Sequence, residues 1–147
     1  MTLQSETQPA AQDRQASAAQ HLSDLIGFDT VSRNGNRPLI DHMAAYFQGL
    51  GARITILPDR AGAKANLVAA FGPEGVAGIV WSGHTDVVPV VGQPWTSDPF
   101  TLTAGEGDNA GRLYGRGTCD MKGFIACALA EVPRWSELEL EVPIWLA

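Results

Sequence analysis

Three residues stand where polar chemistry can gather at the ends of apolar elements: His84, Asp86 and Asp120. The stretch V-W-S-G-H-T-D-V-V-P, from Val80 to Pro89, delivers a histidine and an aspartate from the end of an apolar run. That run, Gly78-Ile79-Val80-Trp81, is short, β-branched and bounded by glycines, so it reads as a buried strand. The carboxyl edge of an α/β sheet is where ligands bind, and an imidazole there can coordinate a metal when a carboxylate holds its second nitrogen. Asp86 is placed to be that carboxylate. A second stretch, L-Y-G-R-G-T-C-D-M-K-G from Leu113 to Gly123, sets Asp120 at the mouth of a helix predicted to begin near Met121. Each residue also has a plainer reading. A histidine after a strand is commonly a hydrogen-bonded loop residue, and an aspartate before a helix is commonly an N-cap. Spacing alone leaves both readings open.

The elements that must carry these residues alternate along the chain. Gln15 to Phe28 is helix-like, with Leu22, Leu25 and Ile26 on one face, and Asp29 to Arg37 connects. Pro38 starts a second helix whose Leu39, Met43, Tyr46, Phe47 and Leu50 share a face, closed by Gly51. Arg53 to Leu57 and Asn66 to Phe71 read as neighbouring strands, and the strand before His84 follows. Pro89 to Gly111 is long and rich in Gly, Pro and Asp, which points to a functional loop anchored by Trp95, Asp98, Pro99 and Phe100. Met121 to Val132 is expected to be a helix with Phe124, Ile125, Ala128, Leu129 and Val132 inward, and Leu140 to Leu146 a strand. Helices alternating with strands indicate an α/β layered sheet flanked by helices. His21 and His42 fall within helices as solvated or packed residues, Lys122 either contributes to the local field beside Asp120 or faces solvent at a helix start, and Arg116 braces the loop ahead of Asp120.

Composition narrows the class without deciding it. A hydrophobic share of 45% over 147 residues suits one core of moderate size. The formal charge of −6, with no basic cluster, argues against nucleic acid as a partner. No apolar run approaches the length of a membrane span. The start, M-T-L-Q-S-E-T-Q-P-A-A-Q, has neither the basic opening nor the apolar centre of a secretory signal, so residues 1–14 are expected to be a disordered tail on a cytoplasmic domain at 15–147. The two cysteines form no framework. Cys127 is expected to be a small buried hydrophobe, and Cys119 to lie beside the metal as a reduced thiol. A cysteine hydrolase pairing Cys119 with His84 is the rival chemistry, opposed by the neighbouring Asp120 carboxylate.

S-G-H-T-D-V-V-P-V, then Q-P-W-T-S-D-P-F at Gln93 to Phe100, then R-L-Y-G-R-G-T-C-D-M-K-G at Arg112 to Gly123, together resemble the dinuclear zinc amidohydrolases. That family holds acetylornithine deacetylases, succinyl-diaminopimelate desuccinylases, aminoacylases and several carboxypeptidases. The F-D-T-V-S-R-N run at Phe28 to Asn34 and K-A-N-L at Lys64 to Leu67 make the deacetylase type the nearest match. The resemblance implies that His84 ligates one zinc, that Asp120 bridges two zinc ions (cobalt being an alternative), and that Asp86 orients His84. It also implies a non-proline cis peptide at Asp120-Met121. The implied reaction is hydrolysis of N-acetyl-L-ornithine to L-ornithine and acetate in arginine biosynthesis, with a desuccinylase or aminoacylase activity as the alternative.

Relatives of this kind run to several hundred residues. In them the strand matching Val142-Pro-Ile-Trp-Leu-Ala leads into a Glu-Glu pair, the general base and a further zinc ligand, which this chain does not contain. Later ligands and the inserted lid domain, with its part in the substrate pocket and the homodimer contact, are also outside it. The expectation is therefore the amino-terminal part of a zinc-peptidase-like catalytic domain, inactive alone, or a non-catalytic piece that a partner chain completes. With Leu146 near the last residue, that strand is expected to lack neighbours and to expose Trp145.

Overall fold

The computed structural model describes residues 8–147. Among them, α1 (Gln8–Ile26) and α2 (Arg37–Gly49) precede an antiparallel pair, β1 (Arg53–Pro58) and β2 (Ala65–Phe71). β3 (Ile79–Trp81) follows, then a small hairpin of β4 (Thr103–Ala104) and β5 (Leu113–Tyr114), α3 (Gly123–Ser136) and β6 (Ile144–Leu146). The main sheet has the order β1-β2-β6-β3. β6 runs antiparallel to β2, with Ala70 opposite Trp145, and parallel to β3, with Val80 opposite Trp145. The α/β layered class expected from the alternating pattern is the one observed.

Strand alternation sends Leu67, Ala69 and Phe71 of β2 to the helical side, where the apolar stripes of the helices meet them. Leu22, Leu25 and Ile26 of α1, Leu39, Ile40, Met43 and Phe47 of α2, and Ile125, Leu129, Val132 and Trp135 of α3 complete one core. Its aromatic members meet edge to face: Phe47 on Phe71 and Phe71 on Trp135, both at 6.3 Å between ring centres. His21 packs edge-on against Tyr46, and His42, which is exposed, lies against Phe28. Among the described residues no helix is long and apolar enough to cross a membrane.

Several expectations need correction. α1 begins at Gln8 rather than Gln15, so residues 8–14 are helical and not tail; Arg14 forms an ion pair with Glu131 of α3 at 2.9 Å. The rest of the expected tail, residues 1–7, lies outside the described residues. β3 is an exposed edge, not a buried strand, with Ile79 54% and Val80 60% exposed, because among the described residues only β6 pairs with it. β6 is instead the internal strand with a neighbour on each side, which leaves Trp145 half-buried. In α3, which starts at Gly123 rather than near Met121, Phe124 faces outward against Trp81 and Cys127 is exposed, because both lie to one side of the buried stripe of Ile125, Ala128, Leu129 and Val132.

Lys122, immediately before α3, is also unlike its solvent-facing expectation, being 0% exposed. Its ammonium donates to the Leu25 carbonyl in the last turn of α1 at 2.9 Å and to the Phe28 carbonyl just beyond it at 2.8 Å. Burial pushes its pKa down from 10.5 to about 8, against an opposing pull from the Asp29 carboxylate.

Truncating the aromatic plug of the core, Phe47→Ala, is expected to cost about 3–5 kcal/mol, read from urea denaturation. Lys122 gives a pH signature. The folded chain releases this proton near pH 8 and the unfolded chain near 10.5, so between those values the unfolded state binds more protons and stability rises with pH. Below that window both states are charged and the group adds no slope. Lys122→Met is expected to erase the alkaline rise, measured as urea midpoints from about pH 7 to 10.

Candidate metal centre

His84 is carried on the extension of β3. The Ala147 N–H donates to the Trp81 carbonyl at 3.0 Å and the Gly83 N–H to the Ala147 carbonyl at 2.8 Å, which continues the β3–β6 pairing to the residue before His84. Gly83 packs so closely on Met121 and Ile125 that an added Cβ would lie 3.3 Å from the Met121 methyl carbon. The end of β3 therefore rests directly on the turn that carries Asp120.

The connector between α1 and α2 fixes the same segment from the other side. Thr30 and Ser32 flank a parallel bridge between Val31 and Val87: the Val87 N–H donates to the Thr30 carbonyl and the Ser32 N–H to the Val87 carbonyl, both at 3.0 Å. The buried Thr30 hydroxyl donates to the Thr85 carbonyl at 2.5 Å. The Ser32 hydroxyl donates to Asp86 Oδ2 at 2.6 Å.

Asp120 sits in a wide turn, Thr118–Lys122, in which the Lys122 N–H reaches back to the Gly117 carbonyl at 2.9 Å. Asp120 and Met121 leave helical dihedrals there, and the peptide between them is cis, as the resemblance implies. Gly117 has φ +86°, and a Cβ at that position would lie 2.6 Å from the Val87 side chain, so only glycine lets the turn close on the His84–Val87 segment.

These elements bring His84 Nε2 within 3.0 Å of Asp120 Oδ1. The opposite ring nitrogen, Nδ1, faces the Asp86 main-chain carbonyl at 3.0 Å and the Asp86 Oδ1 at 3.2 Å. Acceptors thus stand at both ring nitrogens, the Asp86 carbonyl and carboxylate at Nδ1 and the Asp120 carboxylate at Nε2, an arrangement that favours a positive charge between His84 and Asp120. The side chains are open to solvent, His84 at 47% and Asp120 at 85% exposed. Partial burial pulls the His84 pKa down, but the hydrogen bonds to Asp120 and to the Asp86 backbone, with the charges of both carboxylates, outweigh it and hold the pKa above the ordinary value. The Ser32 hydroxyl keeps the Asp86 carboxyl below its usual range, against partial burial, with the His84 charge adding to the effect.

Imidazole nitrogen beside carboxylate oxygen is a donor set that suits zinc or cobalt, and His84 and Asp86 help to line a cavity of about 420 Å³. The donors fit a metal site in part. Among the described residues no group of three or more His, Cys, Asp or Glu side chains is arranged to hold an ion. Cys119 is exposed, and His84 turns its Nε2 to Asp120, which gives the rival cysteine pairing no geometric support. A larger cavity, about 610 Å³ between Trp95 and Tyr114, touches none of the three candidates.

The long loop is braced as expected. Asp98 accepts from the Phe100 N–H and the Thr101 hydroxyl, while Arg116 donates to Gln93 at 2.9 Å and stacks over Trp95 at 5.0 Å. The sequence reading missed the contacts of Ser32 and Lys122. The polar run F-D-T-V-S was the only trace of the first, and nothing in a lysine beside a helix start marked the second.

Residues 80–147 match the model of Peptidase family M20/M25/M40. An acetylornithine deacetylase of Yersinia pestis is 41% identical over 124 residues, which make up 80% of this chain and 31% of the relative. That of Pasteurella multocida (strain Pm70) is 37% identical over 132 residues, 85% and 33% of the respective chains. Human carnosine dipeptidase 1 superposes with a TM-score of 0.70 at 29% identity, over 94% of this chain and 32% of that one. Sso-CP2, an M20 family metallo-carboxypeptidase from Sulfolobus solfataricus, superposes at 0.72 with 22% identity, over 88% and 29%. The chain thus spans about a third of the length of the curated relatives it matches. The chain is thus similar in sequence to acetylornithine deacetylases and in fold to a metallo-carboxypeptidase of the M20 family, and its residues 80–147 match Peptidase family M20/M25/M40.

Proposed function

We propose that this chain is the amino-terminal part of a metal-dependent amide hydrolase of the acetylornithine deacetylase type. In this reading His84 ligates one divalent ion, zinc or cobalt, Asp120 bridges two, and Asp86 orients His84. The observation that carries it is the convergence of His84 Nε2 and Asp120 Oδ1 at 3.0 Å, with the far side of the imidazole held by Asp86. When bound, such ions polarise the scissile amide carbonyl and activate water. The chain's own residues prepare that role. Asp86 holds the Nδ1 side of the ring, and Asp120 offers an open carboxylate with two oxygens on the Nε2 side.

A complete site needs donors beyond this pair, since zinc takes four ligands. Ala147 ends beside Gly83, next to His84, and lines the same cavity. Residues joined to Ala147 would enter that space, where the resemblance puts a general-base glutamate and a further ligand. The substrate of this reading is N-acetyl-L-ornithine, with N-succinyl or other N-acyl amino acids as the alternative, and arginine biosynthesis in the cytoplasm as its setting. A homodimer belongs to the complete enzyme. The second reading, a non-catalytic piece completed by a partner chain, is favoured by the exposed β3 edge, where Ile79 and Val80 stand open to a further strand.

The test is hydrolysis of N-acetyl-L-ornithine by the purified chain with zinc or cobalt, alongside bound metal per chain. The chain alone is expected to give no turnover and less than one tightly held ion. Adding the remaining part of the Yersinia pestis acetylornithine deacetylase as a second polypeptide is expected to restore turnover, and His84→Ala or Asp120→Ala to abolish it. Turnover by the chain alone, lost in the same two variants, would mean that a base and ligands come from within it or from a second copy.

A further inference from the structure

We propose that the cavity of about 610 Å³ between Trp95 and Tyr114 is a second small-molecule site that takes a primary alkylammonium, its charged end at Glu106 and Tyr114 and its alkyl body along Trp95. The site is separate from the candidate metal centre and does not depend on that reading.

The cavity is of a size that small ligands occupy, and Glu106 is the only charged residue that borders it. Glu106 precedes the turn Gly107–Asn109 without capping it, and among the described residues no hydrogen bond or ion pair takes up its carboxylate. A lone carboxylate at a cavity repels an anion and attracts a cation.

The walls are held before any guest arrives. The Trp95 indole N–H donates to Gln93 Oε1 at 3.0 Å, and the Arg116 guanidinium donates to the same oxygen at 2.9 Å. Gln93 Nε2 in turn donates to the Pro89 carbonyl at 2.9 Å, so the amide that orients the indole is itself anchored. Tyr114, paired with Thr103 across the β4–β5 hairpin, lies over the backbone of Gly105. A Cβ at Gly105 would stand 3.0 Å from the ring carbon Cε2, and the Gly105 N–H is tied to the Arg112 carbonyl at 2.9 Å.

The two rings suit different parts of the guest. Arg116 stands 5.0 Å over Trp95 and does not border the cavity. A positive charge already on that ring weakens its pull on a second cation, so Trp95 offers apolar surface to an alkyl chain. Tyr114, 40% exposed, packs on Gly105, the residue before Glu106. A carboxylate beside an open aromatic ring is the pairing that suits an ammonium.

The experiment titrates n-butylammonium into the ¹⁵N-labelled 147-residue chain, free of metal and at low salt, with n-butanol and butyrate in parallel. The reporters are the Trp95 indole N–H, assigned with Trp95→Phe, and the amides of Gly105, Glu106 and Asn109. n-Butylammonium is expected to move these signals to saturation, and the other two compounds to leave them in place at the same concentrations. Glu106→Gln is expected to weaken the amine at least about 10-fold, Tyr114→Ala about 3-fold, and Tyr114→Phe to keep the affinity. Glu106 is exposed, so its replacement keeps the core, and unchanged amide signals from α2 and α3 verify this. No saturating shift, an equal response to n-butanol or butyrate, or full affinity in Glu106→Gln overturns the proposal. Shifts confined to Thr85, Asp86 and Asp120 would put the amine at the candidate metal centre and overturn it as well. Neither metal nor turnover enters the readout, so the result leaves the metal reading to its own test.

Discussion

The buried ammonium of Lys122 constrains the positions of the candidate ligands more than any other single contact. A charged group with no exposure to solvent must keep its acceptors, because losing one strands either a charge or a carbonyl in the core. Its acceptors are the Leu25 and Phe28 carbonyls, so the turn carrying Asp120 is tied to the end of α1. From Phe28 the chain passes directly into Thr30 and Ser32, which clamp Thr85, Asp86 and Val87. One short connector therefore references both Asp120 and His84, and the two are set against each other although they lie on different elements.

The sheet supplies the second constraint. The last strand in the chain is inserted between β2 and β3, so β3 has a hydrogen-bonded neighbour only through contacts far apart in sequence. Because β3 and β6 are parallel, both leave the sheet at the same edge, and Ala147 comes to lie beside Gly83. That is the ordinary location of ligand sites in α/β folds, where strand ends deliver side chains from separate parts of the chain to one place. The same arrangement leaves β3 with an open side, on which Ile79 and Val80 are exposed.

Electrostatically the pair is open rather than buried. Solvent screens His84 and Asp120, so their attraction contributes little to stability and the geometry is kept by the scaffold. Close approach at Gly117 does the same work sterically, since a side chain there would press on Val87 and push the two segments apart.

Local pattern was sufficient for much of this. The stripes of Leu22, Leu25 and Ile26, and of Leu39, Met43 and Phe47, follow from helical periodicity, and Arg53 to Leu57 and Asn66 to Phe71 from alternation; all appear where expected. The motifs around His84 and Asp120 were legible because glycines and polar residues interrupt apolar runs at recognisable spacing. What could not be read there depends on distance along the chain. Whether β3 is central or an edge is decided by where β6 inserts, 65 residues after its register partner at Ile79, and no local pattern encodes that. The start of α1 depends on a helix more than a hundred residues away, through Arg14 and Glu131. Lys122 looks like any solvated lysine until the α1 carbonyls close over it, and Ser32 like any loop serine until Asp86 arrives. Residue types and local order were written in the sequence, whereas strand order, burial of the one cation and the partner of each hydrogen bond came from long-range packing, because each is a property of two segments rather than one.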